Sequence, residues 1–202
     1  MRSLTLTATL FLIAAVAGAS TLTDTQNAIG IFHPLPDDVE TAQENRSYVG
    51  APGTFQAYAV LINPTNDNTG GAITTVGGFE FRLELPGNVF LMGSTLPPMS
   101  TNFLSPPDFY VGSSIPVSNN MCTLVTLDFG EFSGAASDVY LSPVSEHASL
   151  PGAMAIADAD DGFSLSEAFP ASGNYASPVF RLYWVEVLED ASWGEVKALF
   201  RE

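Results

Sequence analysis

From Gly77 to Pro86 the chain reads Gly-Gly-Phe-Glu-Phe-Arg-Leu-Glu-Leu-Pro. Phe79, Phe81, Leu83 and Leu85 alternate with Glu80, Arg82 and Glu84. A period of two sends successive side chains to opposite faces of a strand, so this stretch predicts a β-strand with one apolar and one wet face. Gly77-Gly78 opens it and Pro86-Gly87 closes it, both common turn signals. A strand of this kind has to bury its apolar face against a second layer, which the rest of the chain must supply.

The remaining apolar runs are short and read as further strands. Ala28–Phe32 is an apolar piece predicted to be an edge strand. Thr54–Ile62 is apolar on both faces by its end and stops at Asn63-Pro64. Asn88–Met92, Phe109–Val111, Val139–Leu141, Met154–Ala157 and Val179–Val185 follow the same pattern. Met121–Phe129 alternates, with Met121, Thr123, Val125, Leu127 and Phe129 expected on one face. Gly, Pro and Asn turns separate these runs, and no helical period lies between them. The spacing predicts an all-β chain, a single antiparallel jelly-roll β-sandwich of about eight or nine strands, rather than a parallel α/β sheet.

The two ends differ from this body. Residues 1–19 carry Arg2, an apolar run from Leu4 to Val16 and Ala17-Gly18-Ala19, the pattern of a cleaved signal peptide with cutting before Ser20. The apolar run is short for a membrane span, which takes about 20 residues, and no later stretch reads as one. Residues 20–46 hold the expected edge strand and an acidic loop with Asp37, Asp38, Glu40 and Glu44. Residues 47–188 are the sandwich domain. Residues 189–202 are read as an amphipathic C-terminal helix or tag, because Ser192 and Glu195 have capping-box spacing and Trp193, Val196, Leu199 and Phe200 share one side. Trp193, Val196 and Phe200 are the candidate anchor residues of this tail.

Charge narrows the partners. The chain has 22 Asp and Glu against six Lys and Arg, a formal charge of −16. Loss of Arg2 with the leader would make it −17. Such a surface repels nucleic acid and anionic lipid. It suits life outside the cell, and the expected localisation is secreted: extracellular, cell-surface or periplasmic. Cys122, the single cysteine, rules out an internal disulfide and reads as a small buried hydrophobe. Asn45-Arg46-Ser47 is a formal glycosylation sequon.

Catalytic constellations are absent from the pattern. His33 and His147 are the two histidines and lie in no nucleophile–base motif. No zinc spacing, Walker loop or dinucleotide glycine pattern occurs. The metal candidate is Asp158-Ala159-Asp160-Asp161-Gly162, which superficially resembles an EF-hand loop. Its glycine falls one place early and Glu167 two places short, so a non-EF-hand calcium site of Asp158, Asp160 and Asp161 stands beside the plainer reading of a polar turn. No other cofactor is expected.

The strand Phe55–Ile62, the Gly77–Leu85 strand and the rise into Val89-Phe90-Leu91 resemble the opening of cohesin and cellulose-binding-type jelly rolls. The resemblance implies a nine-stranded sandwich with a binding rather than catalytic role. The chain also resembles uncharacterised secreted bacterial proteins that share an Ile-Gly-Ile-Phe strand, an Asp-rich turn before the last strand and a closing Trp-Gly-x-x-Lys-x-x-aromatic-Arg. Here those are Ile29-Gly30-Ile31-Phe32, Asp158–Gly162 and Trp193–Arg201. The expected function is a non-catalytic secreted or cell-surface binding or adhesion module, with an extracellular protein or glycan, or another copy of itself, as partner. The alternative is a structural subunit of an extracellular filament or surface layer, joined through a free edge strand. A third reading is a glycoside hydrolase using a carboxylate pair.

Overall fold

The structure, a computed structural model, describes residues 21–184. The expected leader and the C-terminal segment with Trp193, Val196 and Phe200 lie outside the described residues. In chain order the elements are β1 (Ala28–Phe32), α1 (Val39–Glu44), β2 (Ser47–Gly50), β3 (Gly53–Ile62), β4 (Thr75–Glu84), β5 (Phe90–Thr95) and β6 (Thr101–Asn102). They continue with β7 (Asp108–Pro116), β8 (Met121–Glu131), β9 (Ser137–Ser142), β10 (Met154–Asp158), β11 (Ser164–Pro170) and β12 (Phe180–Trp184). One-turn 3-10 helices sit at Leu22–Asp24 and Ala159–Asp161.

The fold is an all-β sandwich, and the alternating strand is its hub. β4 pairs with β7 along one edge. Its other edge is shared, with β10 beside Val76–Glu80 and β9 beside Arg82–Glu84. The second layer runs β1-β3-β8-β5. Phe79, Phe81 and Leu83 point from β4 into the core between the layers, against Ile29 and Ile31 of β1 and Leu127 and Phe129 of β8. Phe81 stacks on Phe109 with centroids 5.0 Å apart. Each such ring contributes roughly 1.5–3 kcal/mol by leaving water.

The strand count among the described residues is higher than expected, twelve against eight or nine. β2, β6 and β11 carry no strong alternation and are recruited by their neighbours. The sheet is also not wholly antiparallel. β11 lies antiparallel to β10 through Ser164–Ala168, then turns its last residues parallel to β1 and so bridges the layers. β12 runs parallel to β2. Strands from opposite ends of the chain meet in both pairs, so no hairpin dictates the antiparallel sense.

The expected edge strand is an interior one. β1 lies between β11 and β3 and is buried on both faces. The acidic loop after it contains a helix, α1, that makes this burial feasible. Thr41 N donates to Asp38 Oδ1 at 2.7 Å, while Asp38 N donates to the Thr41 hydroxyl at 3.1 Å, a reciprocal cap at the helix start. Ala42 of α1 and Leu22 then cover Ala28 and Phe32 in a second small core with Ile62 and Met121. The free-edge argument for a filament subunit therefore does not apply at Ala28–Phe32.

β8 departs from simple alternation as well. Ala59 of β3 faces Val125, but Val60 faces Thr123, so Leu124 is an extra residue in the ladder. A bulge of this kind reverses the facing of everything on one side of it. Cys122, Leu124 and Val125 all enter the main core, while Met121 joins the outer cluster and Thr123 is only half-buried.

Candidate functional site

The charged face of β4 is only partly wet. Glu80 is 4% exposed, because the connection between β9 and β10 folds over it. Ser149 N donates to Glu80 Oε2 at 2.9 Å, and the Ser149 hydroxyl donates to the other oxygen. Arg82 donates to Asp108 Oδ2 at 2.5 Å and to Glu84 Oε1 at 3.0 Å. Asp108, also buried, accepts from Ser145 N at 2.8 Å and from its hydroxyl at 3.1 Å. Glu131, fully buried, accepts from Ser133 N at 2.7 Å and Gly134 N at 3.1 Å. These carboxylates hold loops in place by accepting several donors each.

Beside Glu80 the same face opens into a cleft of about 180 Å³. Its floor is Gly77 and Gly78 of β4, Gly112 of β7 and Ala155 of β10; its walls include Phe103, Tyr110 and Phe163. The glycines let rings lie on the backbone. A Cβ on Gly77 would stand 2.6 Å from the Phe163 ring, and one on Gly112 would stand 3.2 Å from the Phe103 ring. Phe103 and Tyr110 have centroids 5.9 Å apart. Phe103 is 66% and Phe163 59% exposed. Phe163 also has φ of +62°, a left-handed conformation that bulky residues seldom adopt. Its N–H donates to Asp158 O at 2.9 Å, which closes the turn that presents the ring.

The aspartates of the calcium candidate lie at one end of this turn. Asp158 is buried and Asp160 and Asp161 are exposed. The buried Asn66 amide donates to Asp158 Oδ2 at 2.8 Å, Asp161 Oδ2 at 3.0 Å and the Ser164 hydroxyl at 3.0 Å. The Asn66 side-chain oxygen Oδ1 accepts from Asn68 N at 2.9 Å and Thr69 N at 3.2 Å, which orients the amide. Asp160 turns away to accept from the Thr74 hydroxyl at 2.6 Å. The Asn66 and Ser164 hydrogen bonds hold the Asp161 carboxyl below its ordinary range. Among the described residues no group of three or more His, Cys, Asp or Glu side chains is set to hold a metal. In the sequence, Asn66-Asp67-Asn68-Thr69-Gly70 carries only the signal of a polar turn, and nothing in it marks Asn66 as a partner of distant aspartates.

The other flagged residues are spread apart. His33 Nδ1 lies 2.7 Å from the Gln56 carbonyl, and its ring meets Tyr48 edge-on at 5.0 Å. His147 is exposed in the connection between β9 and β10. Burial pushes the Cys122 thiol up to about 12, in keeping with a small core hydrophobe. The Asn45 amide of the sequon donates to the Pro34 carbonyl at 3.3 Å.

No family model and no curated protein sequence matches the chain. Among solved structures it is distantly similar to a non-cellulosomal cohesin from the hyperthermophilic archaeon Archaeoglobus fulgidus, 12% identical with a TM-score of 0.35, covering 77% of this chain and 94% of that one. It is likewise similar to a type II cohesin domain from the cellulosome of Acetivibrio cellulolyticus, 12% identical with a TM-score of 0.35, covering 78% of this chain and 92% of that one.

Proposed function

We propose that the protein is a non-catalytic, exported binding module that takes an extracellular macromolecule, protein or glycan, on the outer face of β4, β7 and β10. One observation carries the reading: Phe163 holds an unfavourable left-handed backbone and presents its ring to solvent over Gly77. A left-handed non-glycine residue costs on the order of 1 kcal/mol, and an exposed ring returns little of that in the free protein. Together with Phe103 across the glycine floor, it offers apolar surface to a ligand. Ligand sites of this kind are largely preformed, apolar and sparsely polar.

The test uses the purified mature chain, residues 20–202. It is mixed with insoluble cellulose, xylan and chitin, and separately passed as an immobilised bait over proteins of the culture medium. Retention that is lost in a Phe103→Ser, Phe163→Ser double variant supports the reading. Equal retention by the variant, or no retention on any of these probes, overturns it.

A further inference from the structure

A second apolar surface lies at the end of the other layer, away from the cleft. Phe90 and Met92 of β5 and Phe132 after β8 are 46%, 56% and 60% exposed. Phe90 and Phe132 have centroids 5.8 Å apart. Gly130 lies beneath them: a Cβ there would stand 2.9 Å from both Met92 Sδ and the Phe90 ring. The three side chains therefore form one surface folded over a glycine. Asp128 borders it beside Met92 and Gly93, and accepts from the neutral Gln56 amide at 3.0 Å. Among the described residues, β5 pairs with β8 alone.

The described chain ends close by. Trp184 pairs with Gly50. Gly53, three positions later, pairs with Glu131, next to Phe132. At about 3.3 Å per extended residue, a few residues bridge that gap. Residues 185–202 contain Trp193, Val196, Leu199 and Phe200 at spacings that fall on one side of a helix. They also contain Lys197 and Arg201 beside five acids, Glu186, Glu189, Asp190, Glu195 and Glu202.

We infer that the segment 185–202 folds back on its own chain, with Trp193, Val196 and Phe200 on the Phe90–Met92–Phe132 surface. The place where β12 ends and the apolar match favour this occupant over a second copy. The contact uses none of the residues of the proposed ligand cleft, so either can fail without the other.

The experiment follows Trp193 in the mature full chain with Trp184→Phe, which leaves one indole. Acrylamide quenching is measured over a wide range of protein concentration, with the isolated 185–202 peptide as the exposed reference. The expected result is an indole several-fold less quenchable than the peptide at every concentration. Phe90→Ser with Phe132→Ser, and separately Val196→Asp in the tail, should each return it to the peptide value with the strand signal in circular dichroism retained. Peptide-like quenching in the parent, shielding untouched by both variants, or shielding that appears only at high concentration would each overturn the inference, the last by assigning the surface to a second copy.

Discussion

The side-chain amide of Asn66 donates to the carboxylate of Asp158 at 2.8 Å, across 92 positions of sequence. It joins the turn after β3 to the turn between β10 and β11 in a place where both residues are buried. A buried hydrogen bond to a charged group contributes about 1.5–3 kcal/mol. Asn66→Ala should lower the urea unfolding free energy by that amount at neutral pH. It should also flatten the acid limb. Asp161 titrates below its ordinary value chiefly through Asn66. Its contribution is complete above the unfolded value and is lost as pH falls through the lower folded one. Without Asn66 that loss shrinks, so the drop in stability from neutral pH into the acid range should be smaller in the variant. An unchanged acid limb would show that Asn66 does not set the Asp161 titration.

The same geometry bears on calcium. A cation held by Asp158 and Asp161 would have to displace the Asn66 amide, whose orientation two backbone N–H donors fix. Millimolar calcium should leave the melting temperature of the parent chain unchanged. A rise of several degrees, lost in Asp158→Asn, would establish the site anticipated from the aspartate run.

Ion pairs that look alike in the sequence should differ in worth. Arg82 is about one-third exposed and its partner Asp108 is one-tenth exposed, whereas Arg181 and Asp138 are 54% and 37% exposed. Removing one member of a fully buried pair costs about 3–5 kcal/mol; the exposure of Arg82 reduces this to roughly 2 kcal/mol for Arg82→Ala. Arg181→Ala should cost less than about 1 kcal/mol. Parallel urea titrations of the two variants check the order, and equal losses would contradict it.

The alternation at Gly77–Leu85 was enough to find the hub of the sandwich, because Phe79, Phe81 and Leu83 obey a purely local rule. What failed was non-local. Ala28–Phe32 looks like an edge from its shortness, yet α1 and Leu22 cover it, and α1 is signalled only by the Asp38–Thr41 cap. Met121 and Thr123 depart from the alternation expected of them because of the bulge at Leu124, which nothing in the composition of β8 marks. The cleft was hidden for a related reason. Its rings come from Phe103, Tyr110 and Phe163 on three separate segments, and only the pairing of β4 with β7 and β10 assembles them over glycine.

Phe163 separates a folding role from a binding role. Its backbone φ of +62° suits asparagine or glycine better than a bulky residue. If the ring served the fold, Phe163→Asn would destabilise the chain by the roughly 1.5–3 kcal/mol of a buried apolar side chain. The ring is 59% exposed, so the expected result is the opposite: stability unchanged or raised by up to about 1 kcal/mol as backbone strain is relieved. Retention on the ligand probes should fall in the same variant. Thermal melts and retention measured on one preparation decide between the roles, and a variant that loses stability while keeping retention would return Phe163 to the fold.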